Sequence, residues 1–135
     1  MKTTRAERPT LLMVEADGLV RQPIAEYLRE CGYRVLESRS TDEALLILNS
    51  AKMTVDVVLS DARAPGKLDG FGLARWLRKN YPIAKVILVG TIAAEARKAG
   101  DLCQDGPQLS KPYDHRQLLD RIKRALADRD RASKT

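Results

Sequence analysis

Short apolar runs alternate along this chain with longer segments in which apolar residues recur every three or four positions. The apolar runs cover residues 10–14, 33–37, 55–61 and 85–89, with a weaker run at 106–110. The intervening segments have the spacing of helices that bury one face. Strands separated by helices favour parallel pairing, and undiluted apolar strands are typical of a sheet covered on both faces. The pattern therefore predicts an α/β fold with a doubly wound, five-stranded parallel sheet.

Local signals mark several helix ends. Ser40 and Glu43 stand at capping-box spacing, and Asp69 can cap a third helix. Pro23 falls within the first helical segment, although an interior proline removes a backbone donor. Two alternatives follow: the first helix begins late, near residues 19–20, or it bends at Pro23.

The carboxyl ends of the predicted strands should share one edge of the sheet, because parallel strands run in the same direction. That edge collects acidic, small and basic residues, namely Glu15, Ala16, Asp17, Asp61, Gly90, Thr91 and Lys111. Asp61 is followed by Pro65-Gly66, so one interpretation is that it simply begins a turn. The other is that groups from neighbouring strand ends converge on its carboxylate.

Composition indicates an ordinary soluble domain. The chain has 135 residues, 44% of them hydrophobic and 31% charged. No apolar run reaches the roughly 20 residues of a membrane span, and residues 1–9 lack an apolar signal core, so we expect a cytoplasmic protein without membrane contacts. Cys31 and Cys103 lack metal-ligand spacing, and we expect two reduced, packed thiols. The net charge of +6 is concentrated at both ends, but interspersed acids favour a solvated face over a nucleic-acid site.

The acidic edge suggests phosphoryl chemistry. Clustered carboxylates raise each other's pKa unless a positive charge lies between them. A hard cation such as Mg²⁺ meets that need with oxygen ligands. A carboxylate beside such an ion can attack phosphorus and form an acyl phosphate, while a lysine across the site neutralises the transferring group.

From about Thr10 to Leu126 the chain resembles the receiver domain of bacterial two-component response regulators. The matching motifs are Ser60-Asp61-Ala62-Arg63-Ala64-Pro65-Gly66 with Asp69-Gly70, Val14-Glu15-Ala16-Asp17, and Lys111-Pro112-Tyr113. The resemblance implies a flavodoxin-like (βα)5 sheet with strand order 2-1-3-4-5. It is consistent with an N-terminal extension at 1–9, a receiver domain at 10–127 and a charged C-terminal tail at 128–135.

The resemblance also implies residue roles. Asp61 is the implied phosphoacceptor, and a histidine kinase or phosphotransfer protein is the implied phosphodonor. Mg²⁺ is the implied cofactor, held by the carboxylates of Asp61 and Glu15 and by the backbone carbonyl of Arg63. Lys111 is implied to contact the phosphoryl group; the alternative is a surface lysine lying over the last helix.

Three positions depart from the family pattern. The second of two adjacent acids after the first strand is Ala16 here, which should weaken Mg²⁺ binding. Asp17, one residue further on, is either an additional metal ligand or the cap of the first helix. The hydroxyl residue expected after the fourth strand is Gly90, and Thr91 beside it is either a displaced phosphate contact or a helix cap. The switch aromatic of the fifth strand is Gln108.

The sequence therefore predicts a single-domain receiver in phosphorelay signalling, phosphorylated on Asp61 and signalling through protein–protein contact. At most it would catalyse its own phosphorylation and dephosphorylation. An unidentified output partner is expected at the face formed by the fourth helix, fifth strand and fifth helix, and a homodimer is compatible with the pattern. The alternative is a degenerate receiver that binds its partner without phosphate control. A flavodoxin-like cofactor or nucleic-acid binder is disfavoured, because no Gly-rich loop follows the first strand.

Overall fold

A parallel sheet with helices on both faces organises the part of the chain that the structure, a computed structural model, describes: residues 8–50, 54–90 and 115–133. The strands are β1 (Thr10–Val14), β2 (Arg34–Ser38), β3 (Val57–Asp61) and β4 (Lys85–Val89). They pair in parallel in the order β2-β1-β3-β4. The doubly wound, flavodoxin-like arrangement and the order of the first four strands are therefore confirmed. The predicted fifth strand at 106–110 and the predicted helix at 91–100 lie outside the described residues.

The helices divide between the two faces of the sheet. They are α1 (Gly18–Glu30), α2 (Thr41–Asn49), α3 (Gly70–Asn80) and the last helix (His115–Ser133). Leu11 and Met13 pack in one buried cluster with side chains of α1 and the last helix. Leu12 and Val14 pack in a second cluster with side chains of α2 and α3. Successive side chains of β1 thus point to opposite faces of the sheet, and both faces are covered by helices, which explains why its apolar run is continuous.

The predicted caps of α2 and α3 are confirmed. The Ser40 hydroxyl accepts a hydrogen bond from the Glu43 amide at 3.1 Å, and the Asp69 carboxylate accepts one from the Gly72 amide at 2.8 Å. The Glu43 carboxylate accepts from the amide of Arg39 at 2.7 Å, so the capping box closes one residue before the cap itself.

The helix α1 begins at Gly18, one residue before the late start considered at 19–20, and the exposed Pro23 lies inside it. The other alternative, a bend at Pro23, stays a prediction. The expectation for Cys31 is wrong. Cys31 is exposed instead of packed. Cys31 is the C-cap that follows the last residue of α1, and the chain then turns at Gly32, with φ of +103°. Cys103 lies outside the described residues.

The last helix continues through Ser133, past the domain end predicted at residue 127. The Arg129 guanidinium pairs with Asp56, the residue just before β3, and Asp56 also accepts a hydrogen bond from the Thr10 amide at 2.8 Å. Burial lowers the pKa of Arg129, but hydrogen bonds to Asp56 and Asp130 outweigh burial and raise that pKa above its ordinary value. Nowhere in the described ranges does a helix combine the length and apolar character needed to cross a bilayer.

Candidate functional site

The carboxyl ends of β1, β3 and β4 bring three of the predicted edge residues together. In the register of the sheet, Val14 of β1 lies opposite Ser60 of β3. The next residues on these strands, Glu15 and Asp61, therefore come at the same level of the edge. Gly90, which follows β4, lies against the Asp61 carboxylate.

Asp61 is half-buried and held by its own loop. Its Oδ1 atom accepts a hydrogen bond from the Arg63 amide at 3.2 Å. The amide of Ala62, the residue after Asp61, donates to the carbonyl of Val89 at 2.8 Å and connects the loop to β4. A Cβ atom at Gly70 would lie 2.3 Å from the Asp61 carbonyl oxygen, so only glycine lets α3 begin this close to the strand. The carboxylate keeps partial access to solvent while its backbone is fixed.

Glu15 is buried, with 4% of its surface exposed. Its amide donates to the Ser38 carbonyl at 3.0 Å, and its carbonyl accepts from Nη1 of Arg21 at 2.8 Å. Its Oε2 atom accepts from the Asp17 amide at 3.0 Å. The predicted pocket acid is therefore anchored through its backbone and its side chain.

Asp17 acts as the cap of α1. Its Oδ1 atom accepts from the Leu19 amide at 2.9 Å, and its carbonyl accepts from the amides of Val20 and Arg21 at 3.1 and 2.9 Å. The side chain is exposed. Of the two alternatives for this residue, the structure shows the capping role, and its role as a metal ligand stays a prediction.

The oxygen donors at this edge decide whether it can hold a magnesium ion. Within the described ranges, His, Cys, Asp and Glu side chains form no group of three that could hold a metal ion. The exposed Ala16 contributes no side-chain oxygen. Two carboxylates, those of Asp61 and Glu15, and the backbone carbonyl of Arg63 are hard oxygen donors, and Mg²⁺ commonly uses one or two carboxylates together with water. These residues fit Mg²⁺, with one carboxylate fewer than the family pattern has.

Gly90 occupies its position for a backbone reason. Its φ is +128°, a conformation that side chains disfavour, and a Cβ atom there would lie 3.2 Å from Oδ1 of Asp61. A threonine or serine at this position would be strained and would crowd the carboxylate. The hydroxyl missing from the family pattern is thus incompatible with the backbone of this chain as it stands.

The other predicted phosphate contacts, Lys111 and Thr91, lie outside the described residues. The same holds for Gln108, which replaces the switch aromatic. Their roles stay predictions.

Sequence reasoning missed one residue of this edge, Arg21. Only 9% of its surface is exposed, and its guanidinium joins the Glu15 carbonyl to the Glu37 carboxylate. A signal was present, since Arg21 precedes the buried Ala25 and Leu28 by four and seven positions and so shares their helix face. An arginine on a buried stripe needs partners, and the sequence did not identify them.

The chain matches a known protein family. A family model described as "Response regulator receiver domain" matches residues 11–123. The chain belongs to this family. Receiver domains of response regulators act in two-component signalling, where they interact with histidine kinases or phosphotransfer proteins.

Curated relatives carry this receiver domain within longer proteins. The chain is 37% identical over 123 residues to the sensor kinase CckA of Brucella abortus (strain 2308), covering 90% of the chain and 13% of the kinase. It is 31% identical over 121 residues to the transcriptional regulatory protein AruR of Pseudomonas aeruginosa, covering 87% of the chain and 49% of that regulator. The chain therefore spans half or less of the length of these two relatives.

Solved receiver domains have the same fold. The receiver domain of an HD domain-containing protein from Pseudomonas fluorescens Pf-5 is similar with a TM-score of 0.81 and 27% identity, over 99% of this chain and 96% of that one. The receiver domain of the hybrid histidine kinase CckA is similar with a TM-score of 0.69 and 31% identity, over 87% of this chain and 98% of that one.

Proposed function

We propose that this receiver domain accepts a phosphoryl group on the carboxylate of Asp61 from a histidine kinase or phosphotransfer protein. The observation that carries the proposal is the half-buried Asp61 at the carboxyl end of β3, level with the buried Glu15, in a chain of the receiver family. Signalling then proceeds through protein–protein contact. We expect that contact at the predicted fourth helix, the predicted fifth strand and the last helix.

The reaction uses the Asp61 carboxylate as nucleophile. One of its oxygens forms the new P–O bond while the P–N bond of the donor's phosphohistidine breaks, and the imidazole nitrogen keeps the electron pair of that bond. The Arg63 amide orients the carboxylate through Oδ1. Asp61, Glu15 and the Arg63 carbonyl would hold Mg²⁺, which neutralises charge on the transferring group when bound. Lys111, with Thr91 as a further candidate, would contact the phosphoryl oxygens.

A second function, a receiver that binds its partner without phosphate control, is favoured by two observations. Ala16 lowers the number of metal-binding carboxylates, and the positive φ of Gly90 excludes a hydroxyl side chain at that position. A receiver with these two features can retain the fold and the partner surface while losing the phosphate response.

Phosphorylation of Asp61 separates the two functions. The protein is incubated with acetyl phosphate and millimolar Mg²⁺, and its intact mass is measured; the control variant is Asp61→Asn, which has nearly the same shape but no nucleophilic carboxylate. We expect an added phosphoryl group in the wild-type protein and none in the variant. If the wild-type protein gains no Mg²⁺-dependent adduct, the result contradicts phosphorylation of Asp61 and supports the phosphate-independent function.

The missing carboxylate at position 16 can be restored. Because Ala16 is exposed, Ala16→Asp adds an oxygen donor without burying a charge, and we expect Mg²⁺ affinity to rise on the order of tenfold. Isothermal titration calorimetry measures that affinity. The control Asn49→Asp adds the same charge at the exposed end of α2, near the opposite edge of the sheet. Equal affinity in Ala16→Asp and wild type would contradict the proposed metal site.

A further inference from the structure

The Arg21 side chain crosses from α1 to the loop that carries the pocket acid. Its Nη1 atom donates to the Glu15 carbonyl at 2.8 Å, and its Nε atom donates to Oε1 of Glu37 at 2.8 Å. Its Nη2 atom lies near the first turn of α1, 3.6 Å from the position that a Cβ atom on Gly18 would take. The guanidinium therefore lies under the residues that connect β1 to α1.

The Glu37 carboxylate, which also binds Arg29, holds the Arg21 guanidinium in this position. The Glu37 carboxylate on β2 receives Nε of Arg21 through Oε1 and Nη2 of Arg29 through Oε2, the latter at 3.1 Å. Arg29 also donates to the Val35 carbonyl at 2.8 Å. Hydrogen bonds between charged groups are short and directional, and the planar fork of arginine keeps their angles fixed. A buried arginine paired in this way has little freedom to leave the Glu15 carbonyl.

The contact completes the anchoring of Glu15. The Glu15 amide is bound to the Ser38 carbonyl, its carbonyl to Arg21, and its Oε2 atom to the Asp17 amide. Loss of Arg21 would remove the bond that holds the peptide group after Glu15. We expect the loop to loosen up to Asp17, whose amide holds the Glu15 carboxylate, so that the direction of this carboxylate depends on Arg21.

We propose that Arg21 is a positioning residue that sets the Mg²⁺ affinity of the site by holding the Glu15–Asp17 loop. The inference rests on the proposed function, because both concern the same metal site. Groups that orient metal ligands typically change metal affinity by 10- to 100-fold when they are removed. With Ala16 in place of a second acid, the orientation of Glu15 carries more of the affinity.

The test compares two methionine variants on the same helix. Arg21→Met removes the bonds to the Glu15 carbonyl and the Glu37 carboxylate. Arg29→Met removes the other bond to Glu37 and the bond to the Val35 carbonyl, but leaves the Glu15 carbonyl with its donor. We expect Arg21→Met to weaken Mg²⁺ binding by about tenfold in calorimetric titration, and Arg29→Met to leave it unchanged. In the metal-free protein, we also expect faster hydrogen exchange at the Asp17 amide in Arg21→Met but not in Arg29→Met.

The outcomes separate this inference from the proposed function. Wild-type Mg²⁺ affinity in Arg21→Met, or an equal loss in Arg29→Met, overturns the positioning role. If Arg21→Met does not fold, Arg21→Lys decides: it keeps the charge and the stem but not the fork, and wild-type affinity in that variant overturns the role. Absence of Mg²⁺ binding by the wild-type protein also overturns it. Mg²⁺ binding that depends on Arg21, without an adduct on Asp61, supports the positioning role and contradicts the phosphoacceptor function.

Discussion

At the scale of single residues, two glycines have a positive φ for different structural reasons. Gly32 and Gly90 have φ of +103° and +128°. A Cβ atom at Gly32 would meet nothing within 4 Å, whereas one at Gly90 would lie 3.2 Å from Oδ1 of Asp61. Gly32 is needed for the turn alone, but Gly90 is needed for the turn and for the approach of the proposed phosphoacceptor.

The two glycines form a matched pair for mutation. Gly32→Ala should lower the free energy of unfolding by about 1–2 kcal/mol, which is the cost of a side chain in the left-handed region. Gly90→Ala should lower it by more, because the methyl group also presses on the Asp61 carboxylate. Urea unfolding measures both values. Equal losses would show that the contact with Asp61 contributes nothing.

At the scale of elements, the connection between β1 and α1 combines a helix cap with a pocket acid. Asp17 accepts from the Leu19 amide through its side chain and donates its own amide to Glu15. The start of α1 and the direction of the Glu15 carboxylate are therefore set in the same three-residue loop. Loss of the cap should first lower the stability of the helix, because the Asp17 side chain accepts from the Leu19 amide.

Substitutions at Asp17 separate capping from metal binding. Asp17→Ala should lower the free energy of unfolding by about 1 kcal/mol, the usual cost of losing an N-cap. Asp17→Asn keeps an acceptor and should retain most of that stability, and its Mg²⁺ affinity should stay near the wild-type value. Thermal unfolding and calorimetric titration measure the two properties. A large loss of Mg²⁺ affinity in Asp17→Asn would assign the carboxylate to the metal site.

At the scale of the whole molecule, the last helix is tied to the sheet at the edge opposite the candidate site. Arg129 pairs with Asp56, and these side chains are 24% and 17% exposed. Asp56 in turn receives the amide of Thr10 at the start of β1. One carboxylate thus joins the helix to the beginnings of two strands.

The arginines at the end of this helix differ in what they contact. Arg129→Met should lower the free energy of unfolding by about 1–3 kcal/mol, because it leaves a partly buried carboxylate without its charged partner. Arg131 pairs with Asp128 on the same exposed helix surface, so Arg131→Met should cost only about 0–0.5 kcal/mol. Urea unfolding of both variants tests the difference. Equal losses would mean that the bond to Asp56 does not stabilise the fold.

Most of the framework could be predicted from local pattern. The strands predicted at 10–14 and 85–89 have those bounds, β2 begins one residue later than predicted, and β3 begins at Val57 within the run predicted at 55–61. Apolar runs and capping residues act within a few positions of themselves, so they can be read without knowing the fold. Alternation with helices predicted parallel strands, and parallel strands bring Asp61 and Glu15 to the same edge.

The amino-acid sequence by itself determined the elements, the parallel sheet and the acids at its carboxyl edge. The tertiary structure showed that Asp17 caps α1, why residue 90 is glycine, that Cys31 is exposed, and that Arg21 is buried against Glu15. The surroundings of Gly90 and Arg21 depend on segments that are distant in the chain, since Gly90 lies against Asp61 of β3 and Glu37 of β2 binds an arginine of α1. Burial and hydrogen-bond partners are properties of the packed molecule, and they cannot be predicted from a local pattern of residue types.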